Sequence, residues 1–140
     1  MCLESITKRE DEMLPEMVAY KVMEELTFAD EGRRWSSQYF PAVGFVGLKQ
    51  GWAMKDGCEL TTTASQKCSN ITPYLPGVHA FLSPEAAIRY RNYSLPRRRF
   101  SSCDIVKVRL RGPIVTGTQH VWMSLEEVVV YKEMTIIRVW

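Results

Sequence analysis

The chain has 140 residues, of which 46% are hydrophobic, 24% charged and 11% aromatic, as in an ordinary globular domain. A chain of this length buries roughly two-thirds of the surface of its unfolded form, so disordered and disulfide-scaffold proteins are excluded. No apolar run approaches the roughly 20 residues of a membrane-spanning helix, and the first residues lack a signal-peptide pattern. We therefore expect a cytoplasmic protein without a membrane partner.

The net charge of +2 is unevenly distributed along the chain. Residues 1–31 contain nine acidic and three basic residues, a net charge of −6, and the remaining 109 residues carry +8. Such asymmetry bears on partners and solubility rather than on the fold. We predict that residues 1–16 form an acidic flexible arm or a short helix, and that residues 17–140 form one domain.

The first half of the predicted domain contains short strands and loops. Residues 17–23 are aromatic and β-branched, which predicts a first strand. Residues 24–44 show no sustained period and predict a loop with a helical turn near residues 35–39. Residues 45–52 predict a short strand, and the Lys-Asp-Gly sequence that follows, before a run of threonines, predicts a hairpin turn.

The clearest local signal lies between residues 78 and 92. The apolar sequence of residues 78–82 predicts a buried strand. A helix follows, because Ser83 is a good N-cap residue and Pro84 is favoured at the first helical position. The residues expected to face the core are Ala86, Ala87 and Tyr90, and those expected to face solvent are Arg89 and Arg91.

The C-terminal third predicts several strands. Between residues 104 and 112 the side chains alternate, with Val106, Val108 and Leu110 on one face and Lys107, Arg109 and Arg111 on the other. Residues 113–117, 127–131 and 135–140 predict three further strands. Strands joined by short connections around few helices indicate an α+β fold, a mainly antiparallel sheet with one or two short helices.

Basic residues are concentrated between residues 89 and 111, where eight bases accompany a single acid. Tyr90, Tyr93 and Phe100 lie among them, so the segment predicts phosphate contacts and stacking surfaces for a nucleic acid or another polyanion. Two alternatives remain open: these bases are the solvent face of an edge strand, or the acidic arm folds over them. The candidate polyanion-binding residues are Arg89, Arg91, Arg97, Arg98, Arg99, Lys107, Arg109 and Arg111.

Few other residues indicate chemistry. His79 precedes a helix N-terminus, where it would act as an acid, a base or a donor to a bound phosphate; alternatively, it is a half-buried residue bonded to the backbone. Glu126 and Glu127 are adjacent, so in a strand they point to opposite faces, and we expect a solvated strand end there. The four cysteines are too widely spaced for a common zinc site, so we predict no metal.

The order of these features resembles a family of small uncharacterised domains of bacteriophages and bacteria. In that family a Tyr-Lys pair near the first strand precedes a G-x-H-A-x-x-x-P motif, an alternating strand ending in glycine and a β-branched strand. The matching positions here are Tyr20-Lys21, Gly77-Val78-His79-Ala80 with Pro84, the strand ending at Gly112, and residues 135–139. The resemblance implies a phage-related protein and carries no activity with it.

The strand and helix of residues 81–87 and a late glutamate also resemble the ADP-ribosyltransferase-like fold. In that family the first strand supplies an Arg or His to NAD, and the late glutamate orients the nicotinamide ribose. The resemblance implies NAD as cofactor, with Tyr20, Lys21 and Ser83 binding it and with His79 and Glu127 as catalytic residues. This chain has Tyr20 and Lys21 where the family has Arg or His.

Three hypotheses about function follow from the sequence. The first is a small accessory protein that binds an unidentified protein or polyanion and needs no cofactor. The second is an NAD-dependent enzyme of the ADP-ribosyltransferase-like class, with Glu127 as its carboxylate. The third is a nucleic-acid or polyanion binder that uses the basic segment.

Overall fold

The computed structural model describes residues 3–28, 32–37, 45–46, 53–54, 59–62, 74–75, 77–94 and 103–140. Within these ranges it has nine strands, one α-helix and a short 3-10 helix at Glu10–Glu12. In chain order, the elements are β1 (Ser5–Arg9), β2 (Glu16–Phe28), β3 (Gly32–Ser37), β4 (Phe45–Val46), β5 (Ala53–Met54), β6 (Glu59–Thr62), β7 (Val78–Phe81), α1 (Pro84–Ser94), β8 (Cys103–Val121) and β9 (Ser124–Val139).

A long hairpin of β8 and β9 forms the centre of the sheet. β8 pairs with β1, β2 and β9, and all pairings between the described strands are antiparallel. β7 pairs with β9 and also meets β2, where Tyr20 lies opposite Phe81, so the path through β2, β8, β9 and β7 returns to β2. These pairings confirm the predicted α+β fold with a mainly antiparallel sheet. The likeness to ADP-ribosyltransferases stays a prediction.

Helix α1 packs against β2, β7 and β8. The backbone N–H of Ala86 donates to the Ser83 hydroxyl at 3.2 Å, which confirms the predicted N-cap. Ala86, Ala87 and Tyr90 are buried, as the sequence predicts. The helix therefore covers part of one face of the sheet.

The alternation predicted for residues 104–112 is confirmed. Val106, Val108 and Leu110 are fully buried, whereas Arg109 and Arg111 are exposed. The strand does not end at Gly112, however, because β8 continues to Val121 through a bend at which Gly112 has a φ of +71°. Glycine tolerates this left-handed conformation without a steric penalty.

Three further expectations differ from the structure. Residues 127–131 and 135–140, predicted as two strands, belong largely to the single strand β9. Part of the predicted loop at 24–44 is the end of β2 and the paired strand β3, because backbone pairing needs no alternation of side chains. The region predicted as an arm or short helix contains β1, which pairs with β8.

Some predicted features lie outside the described residues. The predicted strand at residues 45–52 is described at β4 alone. β5 pairs with β3 and β6 pairs with β4 and β9, so the described pairings do not include the predicted hairpin between β5 and β6. Arg97, Arg98 and Arg99 also lie outside the described residues.

Candidate functional site

Lys21 is enclosed in the interior of the sheet. It points to the same side of β2 as Ala19 and Met23, and its exposed fraction is 8%. Its Nζ donates to the backbone carbonyl of His79 at 2.8 Å, and the ammonium has no other hydrogen bond or ion pair with a described residue. Burial lowers the pKa of Lys21 from its ordinary value of 10.5 to about 8. Keeping this buried group charged costs free energy, which its one hydrogen bond offsets in part.

His79 on β7 is also buried, and both of its ring nitrogens are occupied. Nδ1 lies 3.1 Å from the carbonyl oxygen of Gly77 and Nε2 lies 2.8 Å from the Tyr74 hydroxyl. Because a carbonyl only accepts, Nδ1 carries the proton and Nε2 accepts from Tyr74. Burial, and secondarily the charge of Lys21, lowers the pKa of His79 to about 3, so the ring is neutral. These contacts match the backbone-bonded alternative for His79.

The contact between Lys21 and His79 occurs where two strands diverge. β2 and β7 are paired at Tyr20 and Phe81, and the ladder goes no further in the described residues. The ammonium of Lys21 therefore supplies a donor to a β7 carbonyl beyond the end of the ladder. This role is structural, because an unpaired buried carbonyl costs about 1–3 kcal/mol.

The other residues predicted for an NAD site lie in different surroundings. Tyr20 points to the opposite side of β2 from Lys21, and Ser83 is the N-cap of α1. Glu127 is exposed and lines a cavity of about 120 Å³ with Lys8, Met17 and Leu82. Among the described residues, no hydrogen bond or ion pair joins Glu127 to Lys21 or His79.

Glu126 is not at a solvated strand end, and that expectation is wrong. Its exposed fraction is 7%. Its Oε1 accepts from Arg89 Nε at 2.6 Å and from the Ser124 hydroxyl at 2.7 Å. The carboxylate thus holds helix α1 to the start of β9. Arg89, predicted to face solvent, is committed to this ion pair.

The basic residues divide into a helical group and a sheet group. Arg89 and Arg91 belong to α1, where Arg91 Nε donates to Asn92 Oδ1 at 3.3 Å. The sheet group consists of Lys107, Arg109 and Arg111. These residues point to the side of β8 opposite to the buried Val106, Val108 and Leu110, and we call that side the outer face. Its arginines share the Glu16 carboxylate, which lies 3.1 Å from Arg109 and 3.6 Å from Arg111.

A row of side chains crosses the outer face of three strands. Lys107 on β8 lies opposite Tyr20 on β2 and opposite Arg138 on β9, and opposed residues of an antiparallel pair share a face. The Tyr20 ring meets the Trp140 ring edge-on, with centroids 6.3 Å apart and planes at 82°. We call Tyr20, Lys107, Arg138 and Trp140 the outer row. Lys107 and Arg138 have no hydrogen bond or ion pair with a described residue.

Sequence reasoning missed Arg138 and Trp140 as members of this surface. Both belong to a C-terminal segment rich in β-branched residues. Its composition predicts a strand but does not indicate which residues lie beside it. The signal that places them is the pairing of β8 with β9, including an irregularity between Lys107 and Val108 that shifts the register. A register shift of this kind cannot be read from alternation alone.

A larger cavity, of about 660 Å³, opens beside the bend of β8. Ile114 and Val115 contribute apolar surface to it. Two bases and two acids also line it: Arg9, Lys132, Glu10 and Asp11. Tyr74, whose hydroxyl contacts His79, lies in its wall. Its charges are balanced, so the cavity favours neither an anionic nor a cationic ligand.

Comparison with protein-family models, curated proteins and solved structures gave no match to this chain. Within the part of the chain that the structure describes, no helix has the length and apolar character needed to cross a bilayer. The same described residues contain no group of three or more His, Cys, Asp or Glu side chains arranged to hold a metal ion.

Proposed function

We propose that this protein binds a polyanion through the outer row and through Arg109 and Arg111, which follow it on β8. The observation that carries the proposal is the pair Lys107 and Arg138, two cations side by side that have no counter-charge among the described residues. Neighbouring like charges repel each other across a sheet. An anionic ligand relieves that repulsion.

The geometry of β8 suits a ligand with regularly repeated charges. Lys107, Arg109 and Arg111 are two residues apart on one strand, so successive cations are separated by about 6.6 Å along the strand. Arg109 and Arg111 share the carboxylate of Glu16, and Glu133 of β9 lies opposite Arg111. With Lys107 and Arg138, four bases therefore accompany two carboxylates among the described residues of this part of the face. Fixed cations on a sheet give affinity that depends on salt.

The other two hypotheses stay predictions. An accessory protein with a protein partner is compatible with the same row of residues. The enzyme hypothesis requires Tyr20, Lys21, Ser83, His79 and Glu127 to act on one NAD molecule. The described contacts give these residues separate roles, since Ser83 caps a helix and Lys21 contacts only the His79 backbone.

The test is calorimetric titration with sodium polyphosphate at several NaCl concentrations. We expect the logarithm of the wild-type binding constant to fall linearly with the logarithm of the salt concentration. The double variant Lys107→Gln, Arg138→Gln should bind about tenfold more weakly at low salt, and its salt slope should be lower by about one per cation removed.

The matched control is Lys8→Gln with Lys132→Gln, which removes the same charge from exposed positions beside the two cavities. This variant should keep the wild-type slope. The proposal is wrong if the wild-type protein does not bind polyphosphate, or if the control loses as much affinity as the outer-row variant.

A further inference from the structure

We infer that the polyanion is a single-stranded nucleic acid, one base of which stacks on Trp140 while its phosphates contact Lys107 and Arg138. This inference rests on the proposed function, since it uses the same face. It adds a chemical class of ligand, because stacking requires an aromatic base and polyphosphates or sulfated sugars have none.

Trp140 is positioned to act as a stacking surface. The exposed fraction of the residue is 53%, so a large part of its surface remains accessible to a ligand. Its backbone N–H donates to the Ile105 carbonyl at 2.8 Å, which fixes the residue to β8. The T-shaped contact with the Tyr20 ring further restricts the indole. A ring held in place loses little conformational entropy when a base stacks on it.

The neighbouring charges are those that a nucleic acid backbone needs. Lys107 pairs with both Tyr20 and Arg138, so two cations and an aromatic ring lie in one row across three strands. Proteins that bind single strands combine cations along the backbone with aromatic rings under the bases. The bases of a duplex are already stacked and paired, so a duplex offers no free base to Trp140.

A second exposed tryptophan provides an internal comparison. Trp122 stacks on Tyr93, with ring centroids 4.8 Å apart and planes at 18°, and its exposed fraction is 66%. It lies in the turn between β8 and β9, and one of its faces is already covered by Tyr93. Trp122 therefore matches Trp140 in residue type and exposure but lies outside the outer row.

The experiment measures fluorescence anisotropy of a labelled twelve-residue oligothymidylate, with polyphosphate binding to the same variants measured by calorimetry. Trp140→Ala should weaken oligothymidylate binding about fivefold or more and change polyphosphate binding less than about twofold. Trp140→Tyr, which keeps an aromatic face, should stay within about threefold of wild type. Trp122→Ala should bind oligothymidylate as wild type does.

The outcomes separate the inference from the function beneath it. If polyphosphate binds and oligothymidylate does not, or if Trp140→Ala weakens both ligands equally, the inference is wrong and the proposed function stands. Equal losses in Trp122→Ala and Trp140→Ala also overturn the inference. If neither ligand binds the wild-type protein, both the inference and the proposed function are wrong.

Discussion

Lys21 and Lys107 lie on neighbouring strands of one sheet but face opposite sides of it. Lys21 points inward, beside Val106 in the pairing of β2 with β8, whereas Lys107 points outward opposite Tyr20. The inner ammonium is bonded to one backbone carbonyl, and the outer one has no partner among the described residues. Two lysines on one pair of strands therefore differ in surroundings: one is buried and hydrogen-bonded, and the other lies on the outer face.

The two positions differ in what a substitution should change. Inside, the charged or polar group costs free energy unless it is bonded, so its contacts are short and specific. Outside, a charge costs little and remains available to a ligand. Substitutions inside should change the pH dependence or the free energy of unfolding, and substitutions outside should change binding.

The largest expected effect tests the enclosed side of the comparison through Lys21. Its folded pKa of about 8 lies below its ordinary value of 10.5, so between these values the unfolded state binds more protons and stability rises with pH. From pH 7 to pH 10 the wild type should gain about 2 kcal/mol relative to Lys21→Met, measured by urea unfolding. Lys107→Met, the same change on the outer face, should follow wild type. Parallel curves for wild type and Lys21→Met would refute this expectation.

The second prediction concerns acid and His79. Its folded pKa of about 3 lies below the ordinary 6.5, so protonation of the unfolded state removes stability as pH falls below about 6.5. The wild type should lose about 2 kcal/mol between pH 7 and pH 5 through this group. His79→Phe should lack that component of the loss, whereas His120→Phe, at the exposed histidine, should retain it. Unfolding curves at both pH values distinguish these outcomes.

The smallest effects come from two carboxylates, the buried Glu126 and the exposed Glu16. Glu126→Ala leaves Arg89 and Ser124 without their acceptor. Because the Arg89 side chain is 41% exposed, we expect a loss of about 1–2 kcal/mol. Glu16→Ala removes an exposed partner and should cost less than about 0.5 kcal/mol. The same change should strengthen polyphosphate binding, because Arg109 and Arg111 lose the carboxylate that they share. Equal costs at the two positions would contradict the comparison.

Local patterns predicted the parts of the fold that depend on neighbouring residues. The helix was predictable because Ser83 and Pro84 mark its start, and the first half of β8 because Val106, Val108 and Leu110 alternate with bases. The closed path of strands was not, since it depends on the pairing of Tyr20 with Phe81, which are distant in sequence. At Gly112 the sequence predicts the end of a strand, because glycine and proline together signal a turn.

The candidate site was predicted in the same uneven way. A histidine in a Gly-Val-His-Ala sequence stands out, yet its bonds to Tyr74 and Gly77 depend on how the chain folds back. The bases of β8 were predictable from composition. Their neighbours Arg138 and Trp140 were not, because a cross-strand row exists only once the register is set. Burial of Glu126 depends on Arg89, which is distant in sequence.

The central place of β8 also decides when the earlier strands can pair during synthesis. β1 and β2 leave the ribosome before β8, the strand with which both of them pair. About a hundred residues separate them from it, as the pairing of Ser5 with Thr118 illustrates. At roughly 5–20 residues per second, that interval lasts on the order of 5–20 s. During this interval, the backbone donors and acceptors that pair with β8 lack that partner, and the hydrophobic side chains that pack against β8 remain without it.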